Sequence, residues 1–494
     1  MRFFLNDQGF IYELEKLSRL FLPFEKFEVV NSIEEARECE QYIAVLADYS
    51  KEEAVLVTEL KLDSKFETRR RVVPNSEVKD KGTYELVMAL MLFECFESIT
   101  GYRTPWGILT GIRPAKLMGK MIASMGEEAA IEYFKENFLV SSEKTKLCYD
   151  CFKSEEDIIK RSTSDSFSLY VSIPFCPSRC NYCSFVSHSV EQAKKLIPKY
   201  VEFLCEEIKE TAEIANSLKL KLLTIYIGGG TPTTLSAEQL TMIMDTVKSN
   251  FDFTYLEEYT VEAGRPDTVT EEKLVAIKEG GATRISINPQ TMNDDVLKNI
   301  GRRHSAKDMI DAFNLARKCG FDNINTDLIA GLSGDTYESF CSSVDEIIAL
   351  KPENVTVHTL SMKRASNLTK SCTVFESEQG KLAEAMVTYS YNKLSEAGIK
   401  PYYMYRQSKT VGNLENVGYA KEGYEGLYNV YIMDETHTIL ACGASSVTKL
   451  REPDGPYIER VFNFKYPYEY IERFDIILGR KQQITEFYEQ FGSK

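Results

Sequence analysis

Residues 168–185 read SLYVSIPFCPSRCNYCSF, an apolar, β-branched run that passes straight into three cysteines. Cys176, Cys180 and Cys183 give a C-x3-C-x2-C spacing on the loop that leaves the strand. Three thiolates held this tightly can bind three irons of a cubane and leave the fourth without a protein ligand. Such an open iron can chelate the amino and carboxylate groups of S-adenosylmethionine. An electron passed through the cluster then breaks a C–S bond and yields a 5′-deoxyadenosyl radical. The alternative is a zinc knuckle, which needs a fourth ligand (His188 is the nearest) and is usually built from paired CxxC units. The cluster is the better match to the spacing.

Outward from this loop, short β-branched runs alternate with helical stretches. SLYVSIP precedes a helix near 193–217, LTIYIG one near 236–250 and YTVEAG one at 271–279. RISIN is followed by helices near 293–299 and 306–319, INTDLIAGL by 336–350, and VTVHTL by 378–397. Six strand–helix repeats predict a parallel sheet with helices outside it. Runs that are apolar on both faces favour a curved partial (β/α)6 barrel over an open sheet. The fold class is therefore α/β, and the C-terminal strand ends should carry the chemistry. The expected division is an α+β accessory domain at 1–162, the barrel core at 163–398 and a C-terminal cap at 399–494. In the first segment FEVV, YIAVLA and AVLVTEL look strand-like, and a helix is expected from Tyr84 to Gly101. The stretch TPWGILTGIRPAKL carries the sole tryptophan, Trp106, and Arg113 and Lys116, which read equally as surface charges or ligand contacts.

A second signal is IYIGGGTPTTL, with Gly228, Gly229, Gly230 and Thr231 at the end of the second strand. Consecutive glycines let backbone groups approach a ligand closely. Further polar residues fall where a barrel would present them: Glu262 in VEAGRPD, Gln290 in RISINPQT, Arg302 in IGRRH and Asp327 in INTDLIAGL. A carboxylate inside an apolar run is costly to bury unless paired or ligand-bound. For Glu262 the structural alternative is an internal ion pair with Arg284.

The chain of 494 residues is long enough for two or three domains. Its formal net charge of −15 argues against a general nucleic-acid binder, since phosphate backbones want a basic face. The N-terminus carries charges throughout rather than an apolar core, and no apolar run approaches a membrane span. Cytoplasmic is the simple expectation, with no nucleic-acid partner and no membrane span. The 12 cysteines are too dilute for a disulfide scaffold. Cys148 and Cys151 have CxxC spacing, but no second ligand pair lies nearby and the pattern around them is an amphipathic helix, so they read as structural.

The cysteine spacing, with an aromatic Tyr182 before the third cysteine, resembles the radical S-adenosylmethionine superfamily. YVSIPFCPSRCNYCSF, YIGGGTPT, RISINPQT, IGRRH and DLIAGL, in this order, resemble the oxygen-independent coproporphyrinogen III dehydrogenase (HemN-like) family. LTGIRPAKL, VHTLSMKRAS, YYMYRQ and NLENVGYA look like its HemZ branch and extend the resemblance to most of the chain. The resemblance implies a 4Fe–4S cluster on Cys176, Cys180 and Cys183. It implies S-adenosylmethionine contacts at Tyr170, Gly229, Gly230, Thr231, Glu262, Gln290, Arg302, Asp327, Ile329 and Ser361, although an alanine is typical at the last position. The implied reaction is oxidative decarboxylation of two propionates of coproporphyrinogen III to vinyls, in haem biosynthesis. The cluster-bound cofactor is the radical source, so no side chain is assigned as catalytic. An electron donor of flavodoxin or ferredoxin type is the implied partner.

A tetrapyrrole with four carboxylates needs cations at its pocket. Lys363 and Arg364 after the sixth strand, Arg406 and Lys409 beyond them, and His358 at the sixth strand end are the candidates, with solvated surface as the alternative. Two positions depart from the dehydrogenase pattern. Phe185 stands where that branch has a further cysteine, as in the related haem-chaperone branch. Tyr428-Asn429 stands where the chaperone branch has a His-Asn pair. Three functions stay open: a porphyrinogen-decarboxylating oxidoreductase, a haem carrier, and a radical enzyme with another substrate.

Overall fold

The computed structural model describes residues 1–50, 52–78, 80–183, 188–361 and 378–492. It divides into two compact units: Met1–Asp150 with Thr359–Ala385 and Tyr405–Glu415, and Cys151–His358 with Met386–Met404 and Asn416–Lys494. The first unit holds a five-stranded sheet in the order Glu28–Val29, Arg2–Leu5, Tyr42–Tyr49, Glu53–Leu62, Lys65–Pro74. Helices Ile11–Phe21 and Lys81–Thr100 contribute the rest of its core, where Phe21 stacks on Phe96 at 4.5 Å. In the same unit Glu415 accepts from Trp106 Nε1 at 2.7 Å and from Lys144 Nζ at 2.6 Å, all three groups being buried.

The second unit contains the expected barrel strands: β1 (Ser166–Ile173), β2 (Lys221–Gly229), β3 (Glu258–Glu262), β4 (Arg284–Ser286), β5 (Ile324–Ala330) and β6 (Asn354–Thr359). They lie side by side in chain order, and β1 to β5 pair in parallel. The intervening helices are α1 (Ile197–Ser217), α2 (Ala237–Asn250), α3 (Glu271–Glu279), α4 (Ala306–Lys318) and α5 (Tyr337–Ala349). Their starts follow from capping chemistry. Ser236 with Gln239 and Ser305 with Asp308 form reciprocal capping boxes, and Thr270 and Thr336 cap α3 and α5.

The C-terminal segment is not a free-standing cap. Residues after 415 share the barrel's compact unit, and β9 (Thr438–Cys442) pairs in parallel with β1. The edge strands β10 (Val447–Arg451) and β11 (Ile458–Phe462) continue the sheet from there. At the opposite edge lie β7 (Lys400–Arg406) and β8 (Glu415–Ala420), β8 running antiparallel to β6. The richness of this segment in Tyr, Asn and Gly reads as a separate cap, but its strands satisfy their backbone groups on the edges that six barrel strands leave open.

Helix α6 (Leu427–Asp434) meets the N-terminal strand ends. The Glu258 carboxylate, at the start of β3, accepts from the backbone N–H groups of Leu427 at 2.8 Å and Tyr428 at 3.2 Å. Arg284, at the start of β4, lies 3.7 Å from Glu258 and donates to Asn354 Oδ1 at 3.2 Å. The ion-pair partner of Arg284 is thus Glu258, and the structural alternative of an Arg284–Glu262 pair falls away: Arg284 opens its strand, whereas Glu262 closes its own. Gly426 precedes the helix because a Cβ there would stand 2.1 Å from Arg284 Nη1. Replacing Glu258 with alanine strands the buried guanidinium and uncaps the helix, and should cost about 3–5 kcal/mol in urea unfolding. The double variant Glu258→Ala/Arg284→Met should recover a large part of that loss.

Candidate functional site

The cysteine loop leaves β1 after Ile173 and is tied down on several sides. Phe175–Cys176 pairs in parallel with His188–Ser189. Asn181 donates from its backbone to Ile300 O at 3.1 Å and from its side chain to Asn299 O at 2.9 Å. Ser178 Oγ donates to Gly301 O at 3.0 Å, and Cys183 N to Cys180 O at 3.2 Å. The glycine turn after β2 lies against the root of the same loop, with Gly230 N donating to Ile173 O and Thr231 N to Phe175 O, both at 2.8 Å. Gly229 has φ +110°, and a Cβ on Gly230 would stand 2.5 Å from Phe175 O, so both positions require glycine.

The sulfurs are addressed by donors. Thr231 Oγ1 lies 3.6 Å from Cys176 Sγ, and Arg265 Nη1 lies 3.7 Å from Cys180 Sγ. The Tyr182 hydroxyl, whose pKa is raised by burial and by the neighbouring Cys180, accepts from Arg302 Nη2 at 2.9 Å. Arg302 also donates to the carbonyls of Gly264 and Asn288 at 3.1 and 3.2 Å. Its Nε is buried without a protein partner among the described residues.

Around the barrel, burial itself marks the interior site. In β1 the single position that is not fully buried is Tyr170, in β3 Glu262, in β5 Asp327 and in β6 His358. Tyr226 is the corresponding interior residue of β2. These residues meet one another: Tyr226 donates to Glu262 Oε1 at 2.5 Å, and His358 Nε2 lies 3.7 Å from Asp327 Oδ2. Tyr170 stacks on Tyr226 at 6.2 Å, and Tyr428 stacks on Tyr226 at 4.6 Å and on Tyr170 at 6.2 Å. Gln290 has the uncommon φ +73° and is clamped by Gln290 N to Asp327 O and Ile329 N to Gln290 O, both 2.9 Å. A non-glycine residue in this conformation costs of order 1–3 kcal/mol and marks functional sites.

The electrostatics divide the two carboxylates. Burial pushes Glu262 up to about 7, and the Asp327 charge adds to the shift while Tyr226 opposes it. Burial also acts to raise Asp327. The His358 ring outweighs it, with help from Asn325 and Thr356, and holds that carboxyl below its ordinary value.

The structure brings together Tyr170, Gly229, Gly230, Thr231, Glu262, Gln290, Arg302, Asp327, Ile329 and His358 with the three cysteines, all within the second unit. Ser361 belongs to the first unit, where it forms an isolated bridge with Thr410. Arg406, also in the first unit, is buried over Trp106 and donates to the carbonyls of Leu109 at 2.5 Å and Asn413 at 3.2 Å. That setting ties chain segments together and is not open to an anionic ligand, so its assignment to substrate is withdrawn. Lys409 follows it with φ +67°. Lys363, Arg364 and Phe185 lie outside the described residues. Cys148 and Cys151 are buried on helix Ser142–Ile159. His188 packs edge-on against Tyr466 and Tyr468.

The donor set suits an iron–sulfur cubane with a nucleotide on it. Three thiols share one anchored loop, a glycine cradle admits no Cβ, and an unpartnered buried guanidinium N–H borders the loop. Among the described residues no three His, Cys, Asp or Glu side chains converge on a single-ion position. A cubane does not need such convergence, because each thiolate takes its own iron.

Residues 170–347 match the family model of the radical SAM superfamily. The oxygen-independent coproporphyrinogen-III oxidase-like protein HemZ of Bacillus subtilis is 38% identical over 393 residues, covering 78% of each chain. This chain belongs to that HemZ branch of the radical SAM superfamily. Its cofactors are accordingly a 4Fe–4S cluster and S-adenosylmethionine. The heme chaperone HemW of the same organism is 35% identical over 285 residues, 56% of this chain and 70% of that one. The solved structure of coproporphyrinogen III oxidase HemN from Escherichia coli superposes with a TM-score of 0.52 at 21% identity, over 65% of this chain and 72% of that one. It carries the fold, the partial (β/α)6 barrel.

Two residues of the site escaped sequence reading. Tyr226 lies two residues before the glycine run, inside an apolar strand where an aromatic reads as core. Arg265 follows Gly264 directly beyond β3, and the strand-end argument that selects Glu262 selects it equally. In the protein without cofactors, Glu262 gives stability a sign. Its native pKa of about 7 exceeds the ordinary 4.5, so between those values the unfolded chain loses the proton first. Stability then falls as pH rises from about 4.5 to 7 and stays lower above that, by on the order of 3 kcal/mol. Glu262→Gln should lack this segment and be the more stable form at pH 8 in denaturant titrations.

Proposed function

We propose that the chain is a radical S-adenosylmethionine oxidoreductase that decarboxylates two propionates of coproporphyrinogen III to vinyl groups, giving protoporphyrinogen IX. The observation that carries this reading is the interior lining, in which each of four barrel strands keeps one partly accessible polar or aromatic side chain beside the cysteine loop. A cluster and S-adenosylmethionine bound there would supply the carbon radical needed to take a β-hydrogen from a propionate, whose loss of CO2 and of one electron to an acceptor would complete the vinyl group.

In this reading Cys176, Cys180 and Cys183 hold the cluster. The turn at Gly229, Gly230 and Thr231, with Gln290 and Arg302, orients the amino-acid end of the nucleotide cofactor. Glu262 accepts an N–H of its amino group. Asp327, already ionised beside His358, serves hydroxyl donors, and Tyr170 and Ile329 bound the pocket. His358 faces the same interior and is the candidate for contact with the tetrapyrrole. A flavodoxin- or ferredoxin-type protein delivers the electron, in the cytoplasm. Among the described residues no helix is long and apolar enough to cross a membrane.

The second reading is a haem carrier, favoured by the similarity to heme chaperones and by Phe185. Tyr428 speaks for the enzyme. It occupies the position of the chaperone-type histidine, is only 4% exposed and stacks with Tyr170 and Tyr226, so the imidazole of that branch is replaced by a buried ring of the barrel interior. Anaerobic incubation with coproporphyrinogen III, S-adenosylmethionine and reductant should give 5′-deoxyadenosine and a product lighter by two CO2 and four hydrogens, and Cys180→Ala should abolish both. A tight Soret band on haem titration with no vinyl product would favour the carrier. 5′-Deoxyadenosine formed only with a different substrate would leave radical chemistry standing and overturn the porphyrinogen assignment.

A further inference from the structure

Arg265 is a cation built into the wall behind the cysteine loop, and nothing in the proposed reaction uses it. Its side chain is 3% exposed. Nε and Nη2 grip Asp267 at 3.0 and 3.1 Å in a two-pronged pair. Nη1 and Nη2 each lie 3.3 Å from Ser178 Oγ, and Nη1 lies 3.7 Å from Cys180 Sγ. His304, buried beside it, sets Nδ1 3.8 Å from Asp267 and so braces the carboxylate from the other side. A guanidinium cannot lose its proton, and its planar fork holds a fixed direction once one edge is bound. Here one edge is taken by Asp267, and the other end, held by Ser178, lies against the Cys180 sulfur.

Charges and N–H donors close to a cluster sulfur set its reduction potential, because reduction adds one negative charge to the inorganic core. We propose that Arg265 is a positioning residue for the cluster: its buried guanidinium, clamped by Asp267 and Ser178 against the Cys180 sulfur, raises the potential and eases the electron into the site. This rests on the assignment of Cys176, Cys180 and Cys183 as cluster ligands. The Asp267 carboxylate offsets part of the cation's field, which makes the two residues opposing controls of one quantity.

The test is a redox titration of the full chain, reconstituted anoxically and without S-adenosylmethionine, read from the electron paramagnetic resonance of the reduced cluster. Arg265→Gln should shift the reduction equilibrium at least tenfold toward the oxidised form, 59 mV for one electron. Arg265→Lys should keep most of the parent value. Asp267→Asn should move the midpoint upward, since it leaves the guanidinium uncompensated. Arg265→Gln and Asp267→Asn shifting in the same direction, or neither shifting, overturns the proposal by making Arg265 a structural strut. Should Arg265→Gln fail to take up iron, the upward shift in Asp267→Asn decides alone. A parent protein with no four-iron signal would instead refute the ligand assignment.

Discussion

Three thiolates must be held facing outward on a short loop while the fourth corner of their cluster stays free of protein. A loop of eight residues cannot do this on its own backbone. Here it borrows anchors from the strand ends around it: Asn181 and Ser178 reach the segment at 299–301, the glycine turn bonds to residues 173 and 175, and Arg265 reaches across from β3. Each anchor is a backbone carbonyl or amide, or a charged side chain already neutralised by a partner. The loop is fixed by groups that do not themselves compete for iron.

The same economy governs the barrel interior. Polar groups inside an apolar wall are costly unless paired, and here the pairs form a chain: Tyr226 with Glu262, Asp327 with His358, Glu258 with Arg284 and the start of α6. The ion pair and α6 meet the N-terminal strand ends and carry Tyr428 into the stack with Tyr170 and Tyr226. The carboxylates left toward the C-terminal ends are the two whose protonation differs. Glu262 is pushed toward the neutral form by burial, and Asp327 is kept ionised by its histidine.

Much of this was legible in the chain itself. Alternation of β-branched runs with capped helices is a local signal, so the six barrel strands and the helix starts at 237, 271, 306 and 337 follow from it. Glu262 and Asp327 were visible because a carboxylate in an apolar run breaks the pattern. What could not be seen is what depends on contacts far apart in sequence. The partner of Arg284 is fixed by strand register, and one strand end separates Glu258 from Glu262. Arg406 looked like a free cation, yet it is spent on carbonyls of residues 109 and 413. The segment from 399 reads as a cap because it is rich in Tyr, Asn and Gly, but edge strands need only satisfied backbone groups and accept such residues well. Tyr226 hid among core residues because an aromatic in a strand is ordinary.

The central claim is that Cys176, Cys180 and Cys183 bind three irons of a four-iron cluster and leave one iron for the nucleotide cofactor. Mössbauer spectroscopy of the protein reconstituted anoxically with 57Fe, recorded before and after S-adenosylmethionine, tests this most directly. The account predicts a four-iron spectrum in which one iron alone, a quarter of the absorption, changes its isomer shift when the cofactor is added. A spectrum without a four-iron centre, or one in which no iron responds, would contradict it.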